Sequence, residues 1–251
     1  MDLLKAATKR LGALVGPTHR GMIDYFRFPE RRDSWGGAFN GQQKRQELFV
    51  SLMQIVRPAA IIETGTFWGA STEFMANQSG LPIYSVEYDP RNFGFAKMRF
   101  RRNPAIQLFL GDSRSFLRKF LQAESKKYMD YPLFFYLDAH WGEDLPLSDE
   151  VEIIFSSWPQ AIVMIDDFQV PGDEGYRYDD YGADKTLNQD YLASQVSKYQ
   201  LAQFYPAARS TEESGLLRGC VVLVRDRKLI DVLSTVSLLI KSHDNSSLAE
   251  S

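Results

Sequence analysis

Three aspartates carry the strongest chemical signal in this chain. Asp138 ends the apolar run in LFFYLDAHW, and Asp166 and Asp167 end the apolar run in AIVMIDDF. Short apolar runs of this kind read as strands buried on both faces, and the ligands of a parallel sheet lie beyond the carboxyl ends of its strands. If the two strands are neighbours, three carboxylates face one crevice. Like charges that close are unfavourable unless one is protonated or a cation lies between them, and a hard divalent cation with oxygen ligands is the simplest bridge. The structural alternative is that Asp138 caps a helix and Asp167 caps a turn. His140 and Trp141 follow Asp138 closely, and a neutral imidazole there could take the proton of a hydroxyl at physiological pH.

A second cluster lies upstream in IIETGTFWGAST, Ile61 to Thr72, where strand character runs into a turn containing Gly65 and Gly69 and then into a helix start. Gly65 would let a ligand rest against the main chain. Gly69 would let the next helix pack closely and aim free N–H groups at whatever lies in front. The run PIYSV then stops at Glu87, about twenty residues beyond the glycines, where a carboxylate can accept both hydroxyls of a ribose. A third run, Ile106 to Leu110, ends in Gly111, Asp112 and Ser113, polar groups placed for an adenine edge. Phe67 stands where G-x-G-x-x-G has its middle glycine, and no basic residue follows as in a phosphate loop, so a pyrophosphate is not the favoured cargo.

The elements that must hold these residues alternate. Helix 42–56 precedes strand 60–63, helix 70–78 leads to strand 82–87, and Pro90 opens a helix reaching Arg101, a favoured first-turn position. Strand 105–110, a helix from Ser115 to about Ser125, strand 133–138, a helix around 149–157 and strand 161–166 follow. A helix over 187–199 and strands near 201–205 and 219–224 complete the pattern. This predicts an α/β chain with a doubly wound, mostly parallel, Rossmann-like sheet of about seven strands. Residues 1–41 form an N-terminal helical extension with a lid or linker (27–41), residues 42–242 the ligand-binding domain, and residues 243–251 a frayed tail.

Composition narrows the function classes. The chain has 251 residues, 44% hydrophobic and 24% charged, with a net charge of -3, which argues against a nucleic-acid partner despite the basic run Arg99, Arg101, Arg102, read here as the solvated end of a helix. The single cysteine, Cys220, lies in an apolar run and reads as a small core residue in a reducing compartment. No apolar run approaches the ~20 residues that span a bilayer and no secretory leader is evident, so a cytoplasmic protein is expected. The helix Leu3 to Val15 is amphipathic and basic, suited to a membrane surface or, more commonly, to covering its own domain. His19 and His243 read as surface residues. A homo-oligomer is compatible with the pattern and not required by it.

Taken together, these motifs resemble the class I S-adenosylmethionine-dependent methyltransferases, and within them the catechol and caffeoyl-CoA O-methyltransferase group with its metal-dependent relatives acting on sugars and natural products. The resemblance spans about residues 42–224. It rests on the E-x-G-x-x-x-G turn (Glu63, Gly65, Gly69), the acid after the second strand (Glu87), the Asp, His, Trp string (Asp138, His140, Trp141), and the acidic pair followed by a Pro-Gly turn (Asp166, Asp167, Pro171, Gly172). It implies methyl transfer to a hydroxyl of a small molecule or sugar-containing natural product. Glu63 would face the amino-acid end of the cofactor, Glu87 the ribose, and Asp112 with Ser113 the adenine, with Thr66, Phe67 and Ser71 of the turn against the same ligand. It further implies Mg²⁺ held by Asp138, Asp166 and Asp167, gripping the acceptor oxygen. Ala139 is inserted before the His-Trp pair, and Gly142 stands where the catechol enzymes place their lysine base. His140 is then either the replacement base or, as in that family, a wall along the adenosine.

The loop GDEGYRYDDY, residues 172–181, places Tyr176, Tyr178 and Tyr181 with Asp179 and Asp180 where an aromatic, acidic wall over an acceptor would lie. Trp35, Phe39 and the pair Gly36, Gly37 are candidates for the opposing lid. Two other function classes stay open at this point, an NAD-type oxidoreductase on a similar sheet and a non-catalytic nucleoside-binding module.

Overall fold

A computed structural model of the protein describes residues 16–139 and 144–242. Among these, eight strands form one sheet in the order β3-β2-β1-β4-β5-β7-β6-β8. The strands are β1 (Ile61–Thr64), β2 (Ile83–Glu87), β3 (Ile106–Leu110), β4 (Leu133–Leu137), β5 (Ala161–Asp166), β6 (Ala202–Pro206), β7 (Cys220–Val224) and β8 (Leu239–Lys241). The first five run parallel, whereas β7 is antiparallel to both β5 and β6 and β8 is antiparallel to β6. Strand order reverses between β1 and β4, and such a switch point opens a crevice at the carboxyl ends.

Every residue of β1, β2, β4, β5 and β7 is buried, as continuous apolar runs require when helices cover both faces. The register Ile61, Phe134, Ile162 puts three side chains on one face, and Ile62, Phe135, Val163 put three on the other. The first face packs against α2 (Gln43–Val56), α3 (Ala70–Ser79), α4 (Pro90–Arg99) and α8 (Arg227–Leu233). The second packs against α5 (Ser113–Tyr128), α6 (Leu147–Ser157) and α7 (Ala193–Tyr199). The amino-terminal helix of the described chain, α1 (Pro17–Arg27), lies on α4.

The expected elements are present with shifted ends, and each shift has a local cause. α5 begins at Ser113, not Ser115, because the Asp112 carboxylate accepts from the Ser115 amide at 2.8 Å and caps the helix there. The helix expected over 187–199 shrinks to Ala193–Tyr199, since the Leu187 amide donates to the Asp179 carbonyl and its own carbonyl accepts from Gln169, fixing it in a loop. An eighth strand appears because Leu239–Lys241 pairs with β6. Arg99 is not solvated as expected. Its guanidinium is tucked in, pairing with Glu73 at 2.7 Å and donating to the carbonyls of Arg32 and Trp68. Cys220 is buried and His19 exposed, as expected. Helix 3–15, His243 and the tail from Asp244 lie outside the described residues. Among the described residues no helix is long and apolar enough to cross a membrane.

Candidate functional site

The crevice forms where β1 and β4 part. Gly65 follows β1 with φ 88°, and a Cβ there would sit 2.2 Å from the Asp138 carbonyl oxygen. Glycine is therefore required because two strand ends touch backbone to backbone, rather than because a ligand needs the space. Beyond that contact opens a cleft lined by Glu63, Gly65, Thr66, Phe67, Gly69, Ser71, Asp138 and Asp166, with Trp35, Gly37 and Asn40 across from them. The sequence-predicted turn residues thus share one cavity with two of the three aspartates. Glu87 stands beside it, accepting from the Phe67 amide at 2.6 Å, while Asp112 and Ser113 lie further along the sheet edge at the start of α5. His140 and Trp141 fall outside the described residues.

The glutamates on the β1–β2 side carry hydrogen bonds but no ion pair among the described residues. Glu63 accepts from the Thr72 hydroxyl at 2.6 Å and the Ser85 hydroxyl at 2.5 Å, and Thr66 lies 2.5 Å from that same serine oxygen. Burial pushes the Glu63 carboxyl up to about 7 despite the pull of those two hydroxyls. Glu87 accepts from two amides, Phe67 and Asp89, and burial raises its pKa as well. Asp112 is different. Beyond its capping bond it pairs with Arg114 at 3.0 Å, and although its partial burial works the other way, these bonds hold its pKa below the ordinary range.

On the β4–β5 side the arrangement reverses. Asp166, 1% exposed, receives the Arg45 guanidinium on one oxygen and the Tyr136 hydroxyl at 2.6 Å on the other, where the Asn40 amide also reaches it at 3.4 Å. Asp167 adopts a left-handed φ of 54° and pairs with Arg218 at 2.5 Å. Arg218 also pairs with Asp179, and its carbonyl accepts from both Arg45 and Gln42. Asp138 is half-buried; desolvation, then the charges of Asp167 and Glu63, push its carboxyl well above the usual range. The three aspartates do converge, yet two of them already hold a guanidinium. Among the described residues no group of three or more His, Cys, Asp or Glu side chains is arranged to hold a metal ion.

Arg45, Arg218, Tyr136 and Asn40 were not among the sequence-predicted site residues. Glu150 was missed too: it is fully buried on α6 with neither carboxylate oxygen hydrogen-bonded among the described residues, and burial raises it to about 7 against the nearby Ser113 and Thr64 hydroxyls. Two expected wall residues belong to the core instead. Tyr176 is 2% exposed and donates to the Ala208 carbonyl at 3.0 Å, and Phe39 is buried edge-on against Tyr136. Tyr181 does face the aspartates, donating to Asp179 at 2.5 Å, and Asp180 closes a turn on the Gly182 amide. Opposite them, short 3-10 turns, Pro29–Gly36 and Ala38–Gly41, carry Trp35, Phe39 and Asn40 in left-handed conformations and leave Trp35 56% exposed at the cleft.

No protein-family model matches this chain. No curated protein matches it either. Solved structures do. An O-methyltransferase from Bacillus cereus in complex with S-adenosylhomocysteine superposes with a TM-score of 0.57 at 16% identity, covering 88% of this chain and 97% of that one. The Podospora anserina methyltransferase PaMTH1, also bound to S-adenosylhomocysteine, gives 0.51 at 11% identity over 88% and 96% of the two chains. TomG, an O-methyltransferase of tomaymycin synthesis from Streptomyces achromogenes bound to S-adenosylmethionine, gives 0.50 at 15% identity over 72% and 79%. At such identities the likeness establishes the fold, a Rossmann-like methyltransferase sheet.

Proposed function

We propose that the protein is an S-adenosylmethionine-dependent O-methyltransferase acting on a hydroxyl of a small molecule or sugar-containing natural product. The observation that carries this reading is a cleft at the β1/β4 switch point, where the E-x-G-x-x-x-G turn meets the strand-end aspartates Asp138 and Asp166 on a methyltransferase fold. Bound there, S-adenosylmethionine supplies an electrophilic methyl group whose C–S bond breaks as a C–O bond to the acceptor forms. Glu63 would take the amino-acid end, Glu87 the ribose hydroxyls, and Asp112 with Ser113 the adenine. Thr66, Phe67, Gly69 and Ser71 supply the turn against which the cofactor lies. Asp138 and His140 would orient the acceptor hydroxyl and accept its proton, and Trp141 would flank the adenosine. The low-dielectric crevice favours loss of the sulfonium charge during transfer.

Mg²⁺ is expected from the convergence of three carboxylates and from the resemblance. Asp166 and Asp167 hold Arg45 and Arg218, so the described residues do not fit a divalent ion, and no step is derived through one. An NAD-type oxidoreductase gains no support, because Phe67 occupies the place a dinucleotide turn reserves for glycine. A cytoplasmic location is part of the proposal and rests on the sequence reading alone. Calorimetric titration with S-adenosylhomocysteine and with NAD tests the reading: micromolar binding of the first and none of the second is expected. Binding of NAD alone would replace the methyltransferase with a dehydrogenase.

A further inference from the structure

The acceptor side of the cleft presents an electrostatic problem that the chain itself solves. Asp138, Asp166 and Asp167 come from adjacent strand ends, and Asp179 adds a fourth carboxylate from the following loop. Left alone, such a group would attract a divalent cation or take up protons. Arg45 reaches it from α2, 3% exposed, with one nitrogen on Asp166 and another on the Arg218 carbonyl. Arg218 enters from just before β7 and bridges Asp167 and Asp179. Gln42 adds a bond at 2.9 Å to the Arg218 carbonyl, and Tyr136 and Asn40 occupy the remaining Asp166 oxygen. The outcome is a closed chain of partners, Asp166, Arg45, the Arg218 main chain, the Arg218 guanidinium, then Asp167 and Asp179. Two unit charges held as fixed side chains, Arg45 buried and Arg218 half-buried, do the neutralising that a bound ion would do.

We infer that Arg45 and Arg218 stand in place of a divalent cation, so that this enzyme positions its acceptor and transfers the methyl group without a metal. The inference rests on the methyltransferase reading, but its test does not. A guanidinium differs from Mg²⁺ in a way that matters here: it donates directional hydrogen bonds and cannot coordinate an acceptor oxygen as a Lewis acid. Arg45 and Arg218 are accordingly positioning residues. They fix Asp166 and Asp167 and leave Asp138 as the carboxylate without a cationic partner among the described residues.

Mn²⁺ is the probe, because it replaces Mg²⁺ at oxygen sites and reports its own coordination by electron paramagnetic resonance. Titrated into the full-length protein, with and without S-adenosylhomocysteine, it should show no stoichiometric site below about 1 mM, weaker than the range of built extracellular cation modules. EDTA should leave the melting temperature unchanged. Arg218→Ala removes the guanidinium from Asp167 and Asp179 and should acquire Mn²⁺ binding at least about tenfold tighter than the parent, with a changed resonance spectrum, while Arg218→Lys should not. One tight Mn²⁺ per parent chain, lost in Asp167→Asn with S-adenosylhomocysteine binding retained, would overturn the inference. So would a folded Arg218→Ala protein that binds no Mn²⁺. Should Arg218→Ala not fold, the parent titration alone decides. Loss of S-adenosylhomocysteine binding in the parent would instead sink the methyltransferase reading and leave the Mn²⁺ result standing by itself.

Discussion

The two sides of the cleft treat their carboxylates in opposite ways. On the β1–β2 side Glu63 and Glu87 are buried, held among the described residues by hydroxyls and amides, and raised in pKa. On the β4–β5 side Asp166 and Asp167 each meet an arginine. The proposed ligands account for the difference. S-adenosylmethionine brings its own ammonium and sulfonium charges, so Glu63, which would face its amino-acid end, is poised to receive it, while Glu87 would accept from the neutral ribose hydroxyls. A neutral hydroxyl acceptor brings none, and the protein supplies the balancing charge. Asp112 fits the same logic, since it lies toward the uncharged adenine and is paired with Arg114.

Breaking an arginine-held carboxylate should have the largest effect. Arg45→Ala strands Asp166 in a dry site and should cost about 3 to 5 kcal/mol of stability, measured by urea denaturation. A loss below about 1 kcal/mol would mean that Tyr136 and Asn40 suffice and that the arginine is incidental.

Glu150 extends the contrast to a buried carboxyl with no ion pair among the described residues and only the nearby Ser113 and Thr64 hydroxyls beside it. Its pKa is raised from 4.5 to about 7, so the folded state binds its proton more tightly than the unfolded chain does. The stabilisation is complete below pH 4.5, and it is lost as pH rises toward 7 and beyond. Glu150→Gln should therefore stabilise the protein at pH 8 by up to about 3 kcal/mol and flatten that part of the stability profile. An unchanged pH profile would mean that Glu150 is ionised and satisfied by a partner in solution.

Cofactor-side changes should be smaller and should appear in binding. Glu87→Ala should weaken S-adenosylhomocysteine more than tenfold, since charge-assisted hydrogen bonds to a ribose are each worth about 1.5 to 3 kcal/mol. An unchanged dissociation constant would remove Glu87 from the site. Glu63 sharpens the comparison further. Its carboxyl titrates at about 7 in the free protein, and a nearby ammonium favours the ionised form. Affinity should hold above pH 7 and fall by up to about tenfold per unit below it, with proton release visible in calorimetry across buffers. Glu63→Gln should abolish that slope.

Much of this was legible in the residues. The five parallel strands follow from apolar runs closed by polar turns, and seven of the predicted cofactor or metal residues line one cleft with Asp166. The arginines were hidden by an assumption that charge means solvent. The clue was present: Arg45, Leu48, Phe49, Leu52 and Met53 fall on one helical stripe, and the other four are core residues. Glu150 occupies the same kind of position beside Leu147, Val151 and Ile154. A charge on an apolar stripe calls for a buried partner, and sequence spacing does not say which strand end will supply it. The shortened helix before Tyr199 was illegible for a related reason, because long-range bonds from Asp179 and Gln169 override its local pattern.

The contact between Gly65 and the Asp138 carbonyl has a bearing on how this molecule can diversify. It ties the turn that would seat the methyl donor to the strand end that would meet the acceptor through peptide groups, with no rotamer between them. The donor-to-acceptor gap is then a fixed mechanical dimension, and even Gly65→Ala would have to push two strands apart. New acceptors must be accommodated at the rims instead, by the 3-10 turns around Trp35 and the loop from Pro171 to Tyr191, where side chains can change without altering the reach of the transfer.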